Sequence, residues 1–164
     1  MGLIINDKIR QLMKGYPTVS DKYNVSGAVL TGSDPVKFGE LVKKADKNVY
    51  FEAITATNTI ASVDELGGFV LATNVKLAED WPGKTVQVNP GEAFNLLING
   101  FMAVELAATA KEADITANAA VKVLANGGIT TNTDGTALGA IPNTVFTGVY
   151  EKIGNVIFAE IYVK

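Results

Sequence analysis

The hydrophobic pattern of residues 25–164 is that of short β-strands separated by turns. Residues 48–55 alternate, with Val49, Phe51 and Ala53 on one face of an extended chain. Turn signals recur every eight to twelve residues, which is typical of an all-β fold, either a small β-barrel or a β-sandwich. The other predicted strands, bounded by Gly, Pro, Asn and Asp, are residues 25–30, 36–39, 69–75, 85–88, 119–124, 144–150 and 156–163.

Residues 92–108 are the most strongly patterned stretch and predict a β-hairpin. Asn99-Gly100 lies between two apolar runs and suits a two-residue type I′ turn, in which both central residues need positive φ. In that register Leu97 faces Met102, and both faces of the hairpin are apolar near the turn. The second face then needs cover from another layer or another chain. Leu97, Met102 and Val104 are therefore predicted to form a subunit interface.

Two alternatives to this register stay open. A three-residue loop with a bulge at Gly100 would shift the pairing by one residue and return the three interface residues to the core. The Ala- and Glu-rich composition of residues 102–120 favours instead a helix over residues 104–113. We retain residues 102–107 as strand and interpret residues 111–114 as a turn.

Residues 1–24 differ in character and are predicted to form an N-terminal arm that precedes a β-domain of residues 25–164. Apolar residues from Ile5 to Met13 share one helical face, but the helix would have only about two to three turns and would be marginal alone. The arm is therefore expected to order by docking onto a partner, with the open end of its own barrel as the alternative. The arm residues predicted to dock are Leu3, Ile4, Ile5, Ile9, Leu12, Met13 and Tyr16.

The composition indicates one ordinary domain with more apolar surface than its size requires. Of the 164 residues, 48% are hydrophobic and 19% are charged, and the mean hydropathy is +0.21. Some of the apolar surface is therefore expected to face a partner. No apolar run approaches the ~20 residues that span a bilayer, and no signal-peptide pattern is present. We expect an intracellularly made, soluble chain with no membrane partner.

The charge and the absent residue types exclude several kinds of function. A net charge of −3 gives no electrostatic footprint for nucleic acid. The chain has no histidine and no cysteine, which excludes Ser-His-Asp and Cys-His catalysis, histidine metal ligands and thiolate sites. Paired acids occur at residues 64–65, 79–80 and 112–114, all near predicted turns, where acidic residues are ordinary turn formers. No catalytic, cofactor or metal site is predicted, and the protein is not expected to be an enzyme.

Trp81 is the best single candidate for an exposed binding anchor. It precedes Pro82 at a strong turn, and exposed tryptophans often dominate binding energy. A glycan-binding β-module that uses Trp81 and a tyrosine as its platform is therefore an alternative function. The other aromatic residues share no spacing, which favours packing roles for them.

Three segments occur in order over most of the chain. They are Gly15-Tyr16-Pro17, then Val36-x-Phe38-Gly39-x-Leu41-Val42, and finally Phe146-x-Gly148-Val149 followed by Gly154-x-Val156-x-x-Ala159-Glu160-Ile161. In this pattern of glycines and β-branched residues the chain resembles the capsid decoration, or structural cement, proteins of tailed bacteriophages.

The resemblance implies a structural virion protein on the outer surface of a phage capsid, made in the host cytoplasm. Its partners would be the major capsid protein and two further copies of itself in a homotrimer, with no cofactor. The β-domain would bridge capsomers, and the arm would dock on the capsid or on a sister subunit. A tail-tube or head-fibre subunit is the alternative among virion proteins, and a free tube subunit would stack into rings and rods.

Overall fold

The computed structural model describes residues 14–18, 23–46, 49–72, 87–131 and 135–164. These residues are strand-rich, with two short 3-10 turns at Val63–Glu65 and Glu112–Asp114, which confirms the predicted all-β fold. The strands are β1 (Tyr23–Thr31), β2 (Val36–Lys37), β3 (Leu41–Lys44), β4 (Tyr50–Ala53), β5 (Leu66–Leu71), β6 (Gln87–Val88), β7 (Ala93–Glu105), β8 (Ala120–Val123), β9 (Ile129–Thr130), β10 (Gly139–Ile153) and β11 (Val156–Val163).

Five strands close into a ring of paired strands. β1 pairs with β4 in parallel, and antiparallel pairings link β4 to β3, β3 to β5, β5 to β7 and β7 back to β1. The short strands β2 and β6 pair with each other and add Val36 and Val88 to the same core. The ring cluster comprises Ala28, Leu30, Val36, Phe38, Val42, Phe51, Ala53, Val70, Val88, Phe94 and Leu96.

β7 also belongs to a second layer, in which the strand order is β7-β11-β10-β8-β9 and every pairing is antiparallel. The second cluster packs this layer against the outside of the ring at β3 and β5, where Leu41 and Phe69 contribute. Alternate residues of β7 therefore enter different cores, with Leu96 in the ring cluster and Leu97 in the second cluster. The predicted second apolar face exists, and another layer of the same chain covers it.

The predicted hairpin at Asn99-Gly100 is wrong, because β7 runs unbroken through both residues. β1 pairs with residues 93–100 of β7 and β11 pairs with residues 100–105, so the two partner strands meet at Gly100. Gly100 has a φ of 134°, which glycine adopts without the steric cost of a Cβ. Pairing along the full length of β7, with burial on both faces, outweighs the local turn preference of Asn-Gly.

The segment after β7 is not helical over residues 104–113. β7 ends at Glu105, and a 3-10 turn at Glu112–Asp114 follows. The predicted strand over residues 102–107 is therefore two residues too long, and the predicted turn over residues 111–114 agrees with the structure. β3 and β9 escaped prediction, because each offers only two to four residues with no alternating pattern of its own.

Residues 14–18, the described part of the predicted arm, extend the sheet along the second half of β7. Pro17 forms a β-bridge with Met102, and the Gly15 and Thr18 amides donate to the carbonyls of Ala103 and Phe101 at 2.8 and 3.2 Å. On the other side of the segment, the Ala72 amide donates to the Gly15 carbonyl at 2.8 Å. This part of the arm is therefore docked on the β-domain of its own chain.

Candidate functional site

Most of the residues predicted to contact a partner lie outside the described residues, and their role stays a prediction. They are Leu3, Ile4, Ile5, Ile9, Leu12, Met13 and Trp81.

The other predicted interface residues, Leu97, Met102 and Val104, are core residues. Their side chains are 3%, 0% and 0% exposed and all belong to the second cluster. The interface prediction rested on a hairpin with an open second face, and the second layer of the same chain occupies that face. A surface formed by these three residues is therefore not accessible to another subunit.

Tyr16 lies half-buried beside β7. Its carbonyl accepts a hydrogen bond from the Ala103 amide at 3.2 Å, which completes the pairing made by the Gly15 amide. Burial raises the pKa of the Tyr16 hydroxyl above its ordinary value, because desolvation disfavours the phenolate. Next to it, the Lys14 ammonium lies 2.9 Å from a Glu40 carboxylate oxygen and 3.7 Å from one of Glu105.

The face of β7, β11 and β10 that points away from the second cluster is an apolar sheet surface with carboxylates; we call it the outer face. Strand register places its side chains in rows: Phe101 beside Tyr162, Ala103 beside Glu160, and Glu105 beside Phe158. The rings of Phe101 and Tyr162 stack with centroids 4.5 Å apart. The outer face comprises Phe101, Ala103, Glu105, Val145, Thr147, Glu151, Ile153, Val156, Phe158, Glu160 and Tyr162.

A second apolar surface follows the outside of the ring at β1 and the start of β4. Val25 pairs with Leu97 and therefore points away from the ring interior, and it is 44% exposed. Tyr23, Val49 and Tyr50 are also exposed large hydrophobic residues. Tyr50 shares the face of Val25, because it pairs with Val29 of β1, and exposed apolar side chains that share a sheet face are typical of an interaction surface.

The described residues present these sheet faces more prominently than any reactive constellation. Within the described ranges, no three His, Cys, Asp or Glu side chains are grouped to hold a metal ion. Glu112, one of the paired acids, is bound by the Lys152 ammonium at 2.5 Å.

A cleft of about 350 Å³ is lined by turn residues that include Thr31, Asp34 and Glu52. No helix in the described part of the chain has the length and apolar character needed to cross a membrane.

Comparison with known families gives a match over nearly the whole chain. The model of the family described as "Structural cement protein (E217 gp24/Pam3 gp6)" matches residues 5–160. The chain belongs to the structural cement protein family. The resemblance seen in the sequence is thereby confirmed, and with it the assignment to bacteriophage capsid structural proteins.

The fold of this cement protein is also seen in a solved structure. A chain in a structure titled "The capsid of Myoviridae Phage XM1" is similar with a TM-score of 0.62 and 17% sequence identity. The match covers 97% of this chain and 95% of that chain, so the likeness extends over the whole fold. No curated protein matches the cement protein.

Sequence reasoning missed the outer face of the cement protein. The signal was present in β11, where Val156, Phe158 and Tyr162 alternate with the buried residues of the strand. Those three side chains are largely apolar and lie on the face of β11 opposite the core. A strand with apolar residues on both faces is typically covered on both faces. The predicted hairpin placed Phe101 directly after the turn, in the second strand of the hairpin. Its pairing with Tyr162 of β11 therefore could not be predicted.

Proposed function

We propose that this cement protein decorates and stabilises a phage capsid by binding the outer surface of the major capsid protein shell as a homotrimer. The proposal includes a structural role without enzymatic activity, and synthesis in the host cytoplasm before addition to the expanded shell. The observation that carries it is the family match across residues 5–160. The two apolar surfaces of the described β-domain support it, because a cement protein works by burying surface against its neighbours.

In the proposed function, the β-domain bridges capsomers and the arm supplies a second contact, with the capsid or with a sister subunit. Residues 1–13 carry apolar side chains that are predicted to dock, and residues 14–18, which follow them, are hydrogen-bonded to β7. Trp81 is proposed as a further contact residue. Each contact is weak on its own, but several copies joined in a trimer bind the shell with multiplied affinity.

Binding to empty capsids tests the proposed function. Purified protein is added to expanded capsids assembled from the major capsid protein alone, and to unexpanded shells, and bound copies are counted after sedimentation. We expect saturable binding to expanded capsids and a higher melting temperature of the shell. Absence of binding to expanded capsids would contradict the proposal.

Substitutions on the predicted arm helix test the role of the arm. Ile9→Gln removes an apolar contact, whereas Gln11→Ala changes a polar neighbour on the other side of the same helix. We expect Ile9→Gln to lower capsid occupancy and Gln11→Ala to leave it unchanged. Equal occupancy for both variants would contradict the proposed contribution of the arm to capsid binding.

The mass of the free protein tests the oligomeric state. A cement protein is expected to remain a trimer, or a monomer that becomes trimeric on the capsid, whereas a tail-tube subunit forms rings and rods. Light scattering after size exclusion, over a range of concentrations, distinguishes these states. Rods or rings without capsids would favour the tail-tube alternative.

A further inference from the structure

Three polar side chains, from β3, from β4 and from the turn after β4, meet outside the ring: Lys43, Glu52 and Asn58. Lys43 and Glu52 are direct neighbours in the antiparallel pairing of β3 with β4. Val42 and Phe51 alternate with them and belong to the ring cluster, so both charged side chains point out of the ring. The side chains of Lys43 and Glu52 are only 18% and 34% exposed, so the pair is partly withdrawn from water.

The turn after β4 holds Asn58 against this pair. The Thr55 amide donates to the Asn58 carbonyl at 3.1 Å, and the Asn58 amide donates to the Thr55 hydroxyl at 3.0 Å. Nδ2 of Asn58 donates to the Ala53 carbonyl at 2.9 Å, so the side chain is held as well as the backbone. The carboxamide therefore has one fixed orientation beside Glu52.

The amine, the carboxamide and the carboxylate are in mutual contact. The Lys43 ammonium donates a hydrogen bond to Oδ1 of Asn58. Because an ammonium group can only donate, it is the oxygen of the carboxamide that faces Lys43. Nδ2 of Asn58 donates to Oε2 of Glu52 at 3.2 Å, and the same oxygen lies 3.7 Å from Nζ of Lys43. Glu52 therefore bridges the two nitrogens, and Cγ of Asn58 is one bond beyond the oxygen that Lys43 contacts.

We propose that Lys43 and Asn58 form an isopeptide bond within one chain, with Glu52 as the catalytic base and acid. The lysine amine is a nucleophile once it is neutral, and a carboxylate within reach of both nitrogens moves the protons. The fixed juxtaposition supplies the proximity that free amines and amides lack. Each chain undergoes this reaction once, and the inference does not rest on the proposed function.

The atoms of the reaction balance without a further reactant. Glu52 takes one proton from the Lys43 ammonium, and the neutral amine attacks Cγ of Asn58 to form the Nζ–Cγ bond. Glu52 returns that proton to Nδ2, the Cγ–Nδ2 bond breaks and ammonia leaves. The second proton lost from Nζ leaves with the ammonia as ammonium. The product is a secondary amide, and no atom is oxidised or reduced.

The isopeptide bond closes residues 43–58 into a covalent ring that joins β3 to the turn after β4. A cross-link of this kind restricts the unfolded chain, as a disulfide does. The chain contains no cysteine, so the bond supplies a cross-link that is independent of redox conditions. The cleft of about 350 Å³ that Glu52 and Asn58 help to line gives the leaving ammonia a path to solvent.

The mass of the native protein tests the proposal directly. The full-length chain is kept folded at neutral pH until its mass is constant and is then analysed intact and after proteolysis. We expect a mass lower than the sequence mass by one ammonia, and a peptide map in which the peptides of Lys43 and Asn58 are joined. A final mass equal to the sequence mass, or a map without the joined peptides, would overturn the proposal whatever the variants show.

Two lysine variants identify the nucleophile. Lys43→Arg keeps the positive charge but removes the amine. The matched control is Lys44→Arg, at the next residue of β3, whose ammonium donates to the Asp64 carbonyl at 3.1 Å. We expect no cross-link in Lys43→Arg and complete cross-linking in Lys44→Arg. Loss of ammonia that persists in Lys43→Arg would come from another site and would overturn the assignment.

Glu52→Gln tests the proton transfer, because glutamine keeps the size of the side chain but does not take up the proton. General acid–base catalysis contributes about 10²–10⁴-fold, so we expect the rate of cross-linking to fall at least about a hundredfold. Samples drawn over time from cell-free synthesis give the rate, and circular dichroism confirms that the variant is folded. An unchanged rate in folded Glu52→Gln would overturn the role of Glu52.

Discussion

At the scale of single residues, Leu97 shows how burial decides between a structural and an interface role. Leu97→Ala removes a side chain that is 3% exposed from the second cluster, and we expect a loss of about 2–5 kcal/mol in the free energy of unfolding. Its neighbour Ile98 is 51% exposed, so Ile98→Ala should change stability by only about 0.5 kcal/mol or less. Urea unfolding at several protein concentrations measures both.

The dependence of the Leu97→Ala stability loss on protein concentration distinguishes a core role from an interface role. Substitution of a core residue lowers the free energy of unfolding equally at every protein concentration. Substitution of an interface residue weakens association instead, and its effect on stability shrinks as the protein is diluted. A Leu97→Ala effect that vanished on dilution would restore the interface interpretation.

Tyr16 gives a second prediction at this scale, through pH. Its folded-state pKa is raised by burial, so the stabilisation from its neutral form is complete below pH ~10 and is lost as pH rises through the folded-state pKa. We expect the tyrosine absorbance of the native protein to include a component that titrates above the ordinary range and is absent from Tyr16→Phe. An unchanged titration curve in Tyr16→Phe would contradict the assignment.

At the scale of elements, Gly15 controls whether residues 14–18 stay on β7. Gly15 has a φ of +80°, and a Cβ there would lie 2.4 Å from Cβ of Phe38, a ring-core residue. Gly91 has a similar φ of +88° but nothing within 4 Å, so Gly91→Ala carries only the conformational cost of about 1–2 kcal/mol. Gly15→Ala should also displace the segment.

Amide hydrogen exchange separates the two glycine variants. The Ala72 and Ala103 amides donate to the carbonyls of Gly15 and Tyr16, so they lose protection if the segment leaves. We expect faster exchange at both amides in Gly15→Ala and no local change in Gly91→Ala. Equal exchange in the two variants would mean that the contact with Phe38 is relieved without undocking.

The elements also show what could be read from the sequence and what could not. The alternation in residues 48–55 and the turn clusters gave β4 and the all-β class, because both are local signals. Asn99-Gly100 misled, because the pairing of β7 with β1 and β11 is long-range and no local pattern encodes it. The same limit hid the outer face, whose rows exist only once strand register is known.

At the scale of the whole molecule, the shared strands predict one cooperative unit. Val70 in the ring cluster and Val121 in the second cluster are both 0% exposed. Val70→Ala and Val121→Ala should each cost about 1–3 kcal/mol and shift a single unfolding transition, because β3, β5 and β7 carry residues of both cores. Calorimetry measures the transition, and two separable transitions in either variant would contradict the coupling.

The position of β11 has a consequence for how the protein is made. The ring cluster lies wholly within residues 28–96, whereas the second cluster needs Ile157 and Ile161, which come after every strand they pack against. At about 5–20 residues per second, a ribosome takes roughly 3–13 s to synthesise the intervening chain. During that interval Leu97 and Phe69 lack the β11 side chains that complete their cluster in the folded protein. We therefore expect that copies translated side by side on one messenger RNA can associate through these uncovered side chains until β11 completes the second core.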